Sequence, residues 1–125
     1  MNLVDSSAWL EYFADGPNAS FFSRSIQDLG QLVVPTLSIF EVFKRIAQQR
    51  GEGDALQAIA VMQQAAVVEL TSPLALDSAR LSLETRLPMA DSIILATARA
   101  FGATLWTQDA DFKDIEGVQY IGKKA

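Results

Sequence analysis

Short β-rich segments alternate with helical segments along the whole chain, and this alternation is the strongest constraint on the fold. Strands that are joined by helical crossovers form parallel sheets, because a tight turn cannot connect a parallel pair. We therefore predict an α/β fold in which a central parallel sheet of four to five strands is flanked by helices on both faces. The predicted strands are residues 2–4, 31–34, 67–70 and 103–107, with a short fifth strand at 118–121.

Helical periodicity and turn residues set the expected limits of the helices. Thr36 or Ser38 is expected to cap a long helix that ends near residue 50, and Ser72 is expected to cap a later one. With 125 residues and 50% hydrophobic content, the chain can bury one core without disulfides. We therefore predict a single domain over residues 1–125. The other predicted helices are residues 8–13, 19–29, 54–66, 73–87 and 89–101.

The chain contains neither histidine nor cysteine. Imidazole and thiol chemistry are therefore excluded, and carboxylates remain as the candidate groups of an active site. Carboxylate oxygens are hard ligands that select Mg²⁺ or Mn²⁺ over zinc or copper. The composition consequently favours metal-dependent phosphoryl transfer as the hypothesis to test.

The formal charge of −5 argues against a protein that coats nucleic acids, because phosphate affinity comes mainly from lysine and arginine. A nuclease is still allowed, since bound cations would offset clustered acids. The basic residues that can guide a nucleic-acid backbone locally are Lys44, Arg45, Arg50, Arg80, Arg86 and Arg99.

The N-terminal residues do not have the pattern of a secretory signal, because Asp5 interrupts the apolar run almost at once. No apolar stretch approaches the roughly 20 residues that a membrane span needs. We therefore expect a cytoplasmic protein that does not enter a membrane.

Four acidic residues, Asp5, Glu41, Asp91 and Asp109, stand where a predicted strand or helix turns apolar or ends. Asp5 directly follows the first strand, and Asp109 lies two residues after Thr107 at the end of the fourth. Ligands of parallel sheets bind beyond the carboxyl ends of the strands, so both acids are expected at one edge. Glu41 interrupts an apolar helical segment, and Asp91 begins a helix that is apolar enough to be internal. The pattern predicts a cluster of carboxylates at this edge.

Each acid also has a purely structural interpretation. Asp5 can cap the first helix, although Ser6 and Ser7 could do so instead and leave the carboxylate free for a cation. Glu41 can instead pair with Lys44 or Arg45, or lie exposed to solvent. Asp91 can interact favourably with the macrodipole of its helix, and Asp109 and Asp111 can form turns.

Several segments, in this order, resemble the PIN-domain ribonucleases, and the chain length is similar to that of the VapC toxins of bacterial toxin–antitoxin pairs. The resemblance covers almost the whole chain. It rests on NLVDSSAWLE at residues 2–11, Glu41 in a helix after Pro35, PMADSIILATA at 88–98 and TQDADF at 107–112.

The resemblance implies an Mg²⁺- or Mn²⁺-dependent endoribonuclease that is usually a homodimer and is silenced by a small antitoxin whose tail enters the active-site groove. It assigns Asp5, Glu41, Asp91 and Asp109 to the catalytic and metal-binding quartet. Ser7 and Thr107 match supporting hydroxyl positions in the family, and Asp111 can replace or assist Asp109.

A carboxylate site of this kind hydrolyses phosphodiesters without histidine, so we predict products with 5′-phosphate and 3′-hydroxyl ends. Haloacid-dehalogenase phosphatases are disfavoured, because Ser7 occupies the place of their second acid. A receiver domain is disfavoured because residues 70–72 offer no phosphoacceptor aspartate. The alternative that remains is a non-catalytic PIN-fold module for protein interaction.

Overall fold

The computed structural model describes residues 1–124 and contains a five-stranded sheet in the order β3-β2-β1-β4-β5. All neighbouring strands are parallel. The predicted parallel α/β architecture is therefore confirmed. The strands are β1 (Asn2–Val4), β2 (Leu32–Pro35), β3 (Ala66–Val68), β4 (Thr104–Thr107) and β5 (Val118–Tyr120).

Six α-helices connect the strands within residues 1–124, and short 3₁₀ turns occupy Leu29–Gln31 and Ala110–Phe112. The helices are α1 (Ser6–Phe13), α2 (Ala19–Gln27), α3 (Thr36–Arg50), α4 (Glu52–Met62), α5 (Ser72–Thr85) and α6 (Met89–Ala100).

Some of the expected helix limits are wrong. Gly51, with φ of 94°, separates α3 from α4 by itself, so α4 begins and ends earlier than the predicted 54–66. Thr71, not Ser72, caps α5, because its side chain accepts a hydrogen bond from the Leu74 amide at 3.3 Å. Neither Thr36 nor Ser38 caps α3, which begins directly after Pro35.

The core consists of two apolar clusters on opposite faces of the sheet. Val4 belongs to the cluster under α1 to α4, with Trp9 and Phe22, whereas Leu3 belongs to the cluster under α5 and α6. Successive side chains of a strand point to opposite faces, so β1 contributes to both clusters. Helices therefore cover both faces, as the sequence predicted.

The strand order places β1 in the middle of the sheet, between β2 and β4. The chain passes from β1 to β2 on one side and returns to β4 on the other, so the order reverses beside β1. Ligands of open α/β sheets bind at such a reversal, outside the carboxyl ends of the strands. Residues that directly follow β1 and β4 therefore occupy the expected ligand position. Within residues 1–124, no helix has the length and apolar character that crossing a membrane requires.

Candidate metal centre

Asp5 lies at the junction of β1 and α1 and is only 4% exposed. Its Oδ1 accepts hydrogen bonds from the Ser7 hydroxyl at 2.8 Å and from the Ala8 amide at 3.0 Å. Its Oδ2 accepts a 2.6 Å hydrogen bond from the Thr107 hydroxyl. Of the two capping alternatives that the sequence left open, the structure therefore has Asp5 as the helix cap. A carboxylate oxygen accepts about two bonds, so Oδ2 keeps acceptor capacity for a cation.

Thr107 links Asp5 to the acidic segment after β4. Its hydroxyl donates to Asp5 and accepts a hydrogen bond from the Asp109 amide at 2.9 Å. Asp109 in turn caps the following 3₁₀ turn, because its Oδ1 accepts from the Asp111 amide at 2.9 Å. This chain of bonds fixes the backbone of the segment and the orientation of Asp5 together.

Glu41 lies on α3 and is held by α1. The Ser6 hydroxyl donates a 2.7 Å hydrogen bond to its Oε1. The part of the chain that the structure describes contains no ion pair of Glu41 with Lys44 or Arg45, so that structural alternative is wrong. The side chain is half-buried, which places its carboxylate between solvent and the cleft.

Asp91 lies in the first turn of α6 and is also half-buried. One carboxylate oxygen from each of Asp91, Asp109 and Asp111 lies within 4.8 Å of the others. Asp111 is the exposed member of this trio, whereas Asp109 is half-buried. The structure therefore brings both candidates for the fourth acid to the same place.

The four acids that the sequence analysis identified all line one cavity of about 310 Å³. It lies at the carboxyl edge of the sheet beside β1. Arg45 is the basic residue on its wall, and Ser6 and Ser7 line it as well. Residues far apart in sequence thus share one cleft, and the four acids that line it are Asp5, Glu41, Asp91 and Asp109.

Burial in this acidic cavity raises the pKa values of two of its carboxyl groups, those of Asp5 and Asp91. Burial raises the pKa of Asp5 from its ordinary value of 3.8 to about 6, against the opposing effect of its hydrogen-bond donors. The pKa of Asp91 is raised from 3.8 to about 7, mainly by burial and additionally by the neighbouring carboxyl groups of Asp111, Asp109 and Asp5. Negative charge is therefore costly here without a compensating cation.

The donor set fits a hard divalent cation. Asp91, Asp109 and Asp111 supply close carboxylate oxygens, and Asp5 supplies another at the same cavity. Oxygen-rich sites of this kind suit Mg²⁺ or Mn²⁺. A cation would also compensate the negative charge that burial and the neighbouring carboxylates disfavour at Asp5 and Asp91.

Sequence reasoning missed two polar contacts around the cavity. The first is the bond from Ser6 to Glu41, which joins α1 to α3. The second involves Asn18, only 1% exposed, whose amide group donates to Gln108 Oε1 and to the Gly122 carbonyl, each at 3.0 Å. No local sequence signal predicts either contact, because each joins segments that meet only after the helices pack.

Solved structures with similar folds include several toxin–antitoxin proteins. A toxin–antitoxin complex from Klebsiella pneumoniae contains a chain with a TM-score of 0.81 and 22% identity, covering 95% of this chain and 96% of that one. The VapC20 toxin of Mycobacterium tuberculosis, described as cleaving the sarcin-ricin loop, has a TM-score of 0.76 and 18% identity, with coverage of 93% and 95%. VapBC2 from Rickettsia felis, bound to a promoter DNA fragment, has a TM-score of 0.74 and 12% identity, with 97% coverage of both chains.

At these identities the similarity establishes a shared fold. A sequence comparison with curated proteins found no match. The model of the PIN domain family matches residues 3–118, a span that includes every acid of the cavity. The parallel sheet, the reversal of strand order beside β1 and this match agree, and the chain belongs to the PIN domain family.

Proposed function

We propose that this protein is a divalent-cation-dependent endoribonuclease that hydrolyses phosphodiester bonds in RNA. The observation that carries the proposal is the convergence of four carboxylates in one cavity of a PIN fold. In a chain without histidine or cysteine, these carboxylates are the groups available for cation binding and for proton transfer.

In this proposal Asp5, Asp91, Asp109 and Glu41 are the catalytic and metal-binding residues, and Asp111 assists them. Bound Mg²⁺ or Mn²⁺ would supply the Lewis acidity that activates water and offsets charge on the scissile phosphate.

Ser7 and Thr107 are positioning residues, because each donates to Asp5 and holds one of its oxygens in place. Ser6 does the same for Glu41. Fixed carboxylates lose little conformational entropy when a cation binds, so these hydroxyls organise the site in advance. Hydrolysis by water, without attack by the RNA 2′-hydroxyl, leaves 5′-phosphate and 3′-hydroxyl ends.

The same proposal includes a role as the toxin of a toxin–antitoxin pair. The support is the fold shared with chains of toxin–antitoxin proteins from three bacteria. An apolar patch on α3 offers a surface for a small antitoxin, because Phe40 is 61% exposed beside Ile39 and Phe43. We propose that the protein acts in the cytoplasm, as a homodimer.

A cleavage assay tests the activity. Purified protein is incubated with RNA in the presence and absence of Mg²⁺, beside Asp5→Asn, Asp91→Asn and the control Asp28→Asn. Asp28 lies before β2, at the opposite edge of the sheet from the cavity. We expect cleavage by wild type and by the control with Mg²⁺, and none by the two cavity variants.

The ends of the products test the chemistry. Cyclic 2′,3′-phosphate ends would contradict hydrolysis by water. Cleavage that persists equally in both cavity variants would refute the assignment of the site. A non-catalytic interaction module would show neither cleavage nor saturable thermal stabilisation by millimolar Mn²⁺.

A further inference from the structure

A second cavity, of about 280 Å³, adjoins the acidic one. The two cavities share Ser7, Leu10 and Arg45 as lining residues, so they adjoin along this wall. Arg50 and Lys123 line the second cavity as well. We call this second cavity the basic groove and define it by Arg45, Arg50 and Lys123.

The fold brings these three cations together from distant parts of the chain. Arg45 and Arg50 both line the groove from α3. They are five positions apart, which separates them by about 7.5 Å along the helix axis and about 140° around it. Lys123 follows β5 and reaches the groove from its other wall. The three residues therefore line a path that ends at the acidic cavity.

The charges of the groove are available for a ligand. Within residues 1–124 the structure contains one ion pair, which joins Arg80 to Asp77 on α5. The three cations of the groove therefore take part in no ion pair there. The acidic residue on the wall of the groove is Glu11, whose Oε2 already accepts a 2.7 Å hydrogen bond from the backbone N–H of Asn18. Beyond Arg50, Asp54 lines the neighbouring cavity. Three exposed cations thus face one engaged carboxylate, in a chain of net charge −5.

We propose that the basic groove binds the phosphate backbone of a single RNA strand on one side of the cleavage position. The inference rests on the proposed nuclease function and adds a direction to it. The strand runs from Lys123 and Arg50 to Arg45, which lies on the wall shared with the acidic cavity. Arginine suits this task, because its planar guanidinium binds phosphate oxygens in pairs.

The groove also explains how an acidic protein can hold RNA beside a cluster of carboxylates. Repulsion between phosphates and the acids would otherwise oppose binding at every position. Cations confined to one side attract the backbone there and leave the acidic cavity to the scissile phosphate and its cation. Affinity should then depend on salt through the phosphates held in the groove.

The test is binding of a fluorescein-labelled pool of 12-nucleotide RNAs of random sequence, measured by anisotropy over a range of salt concentrations. Metal-free buffer prevents cleavage. Arg45→Gln/Arg50→Gln is compared with wild type and with Arg99→Gln. Arg99 is an exposed arginine eight residues along α6 from Asp91, near the start of β4. Arg45→Lys/Arg50→Lys keeps both charges and controls for local packing.

We expect the double glutamine variant to bind RNA at least about tenfold more weakly, with a salt slope smaller by about 1.4, the value for two phosphates on a single strand. The lysine variant should recover most of the slope, and Arg99→Gln should match wild type. Saturable thermal stabilisation by Mn²⁺ should persist in the glutamine variant, because the four carboxylates of the acidic cavity are unchanged.

Three results would overturn the inference. If wild type cuts RNA while the double glutamine variant binds the pool with unchanged affinity and slope, the groove does not hold the strand, and the proposed nuclease function stands. Equal losses in the double variant and in Arg99→Gln would show a general charge effect instead. If wild type neither binds nor cuts RNA, the proposed function itself fails and this inference fails with it.

Discussion

Carboxylates occupy two very different environments in this molecule. On the surface of α5, Asp77 accepts a 3.0 Å bond from Arg80, one turn away, and both side chains are about two-thirds exposed. At the carboxyl edge of the sheet, four acids share a cavity, and the part of the chain from 1 to 124 gives none of them an ion-pair partner. The surface pair contributes little to stability, whereas the carboxylates that share the cavity repel one another when they are ionised. Repulsion that the fold maintains indicates a site prepared for a cation.

The contrast between the cavity and the surface pair is wrong if substituting one acid of the cavity lowers RNA cleavage no more than substituting Asp77 does. We expect Asp109→Asn to lower the rate of RNA cleavage by more than about 100-fold, because Asp109 lines the cavity and also belongs to the close trio. Asp111→Asn should cost about tenfold to 100-fold, since Asp111 is exposed and lies at the rim.

Single-turnover cleavage rates in saturating Mn²⁺ measure both effects. If Asp111→Asn proves more damaging than Asp109→Asn, the assignment of the fourth acid is reversed. Far-UV circular dichroism controls for loss of fold in each variant.

The cavity should also make the metal-free protein sensitive to pH. The pKa values of Asp5 and Asp91 are raised in the folded state, to about 6 and about 7. Between about pH 4 and pH 7 the folded protein therefore holds protons that the unfolded chain has released. Stability should fall as pH rises through this window, and for buried Asp5 the loss is on the order of 2 to 3 kcal/mol.

Urea unfolding in EDTA at pH 4 and pH 7.5 measures this difference in the free energy of unfolding. Asp91→Asn should reduce the pH dependence and stabilise the metal-free protein at pH 7.5, because it removes a charge from the cluster. A wild-type protein that gains stability between the two pH values would contradict the account.

Thr107 tests whether the orientation of the acids matters. Its hydroxyl bonds both Asp5 and the Asp109 amide, so Thr107→Val leaves both without that partner. We expect cleavage to fall by about tenfold and more Mn²⁺ to be needed for half-maximal activity. Thr107→Ser, which keeps the hydroxyl, should restore both values. Equal losses in the valine and serine variants would point to packing rather than to orientation.

The smallest effect is expected at the surface pair. Asp77→Asn removes an exposed bond between residues three apart on α5. Such pairs contribute at most about 0.5 kcal/mol, so the urea midpoint and the cleavage rate should both stay close to wild type. A larger loss of activity would mean that charge anywhere on the molecule matters, which would weaken the contrast with the cavity.

The sheet and the convergence of the acids could be predicted because both follow from local rules. Strand and helix periodicities imply parallel connections, and parallel connections place Asp5 and the segment after Thr107 at one edge. The positions of Glu41 and Asp91 within helices made them candidates, but their distance from Asp5 depends on how α3 and α6 pack.

Other features depend on packing alone. The bond from Ser6 to Glu41 joins two helices, and Lys123 reaches the groove from beyond β5. The sequence also left the cap of α1 open, and in the structure the Asp5 carboxylate is both the helix cap and part of the cluster. Sequence patterns identify acidic, basic and hydroxyl side chains as candidates for a site, but they do not determine which partner each side chain contacts after folding.

Electron paramagnetic resonance of free Mn²⁺ tests the central claim most directly, because it counts the ions that the protein removes from solution. The account predicts saturable binding by wild type and by Asp77→Asn, and loss of that binding in Asp91→Asn/Asp109→Asn. Equal Mn²⁺ binding by the double variant and by wild type would contradict the claim that these carboxylates form a metal centre.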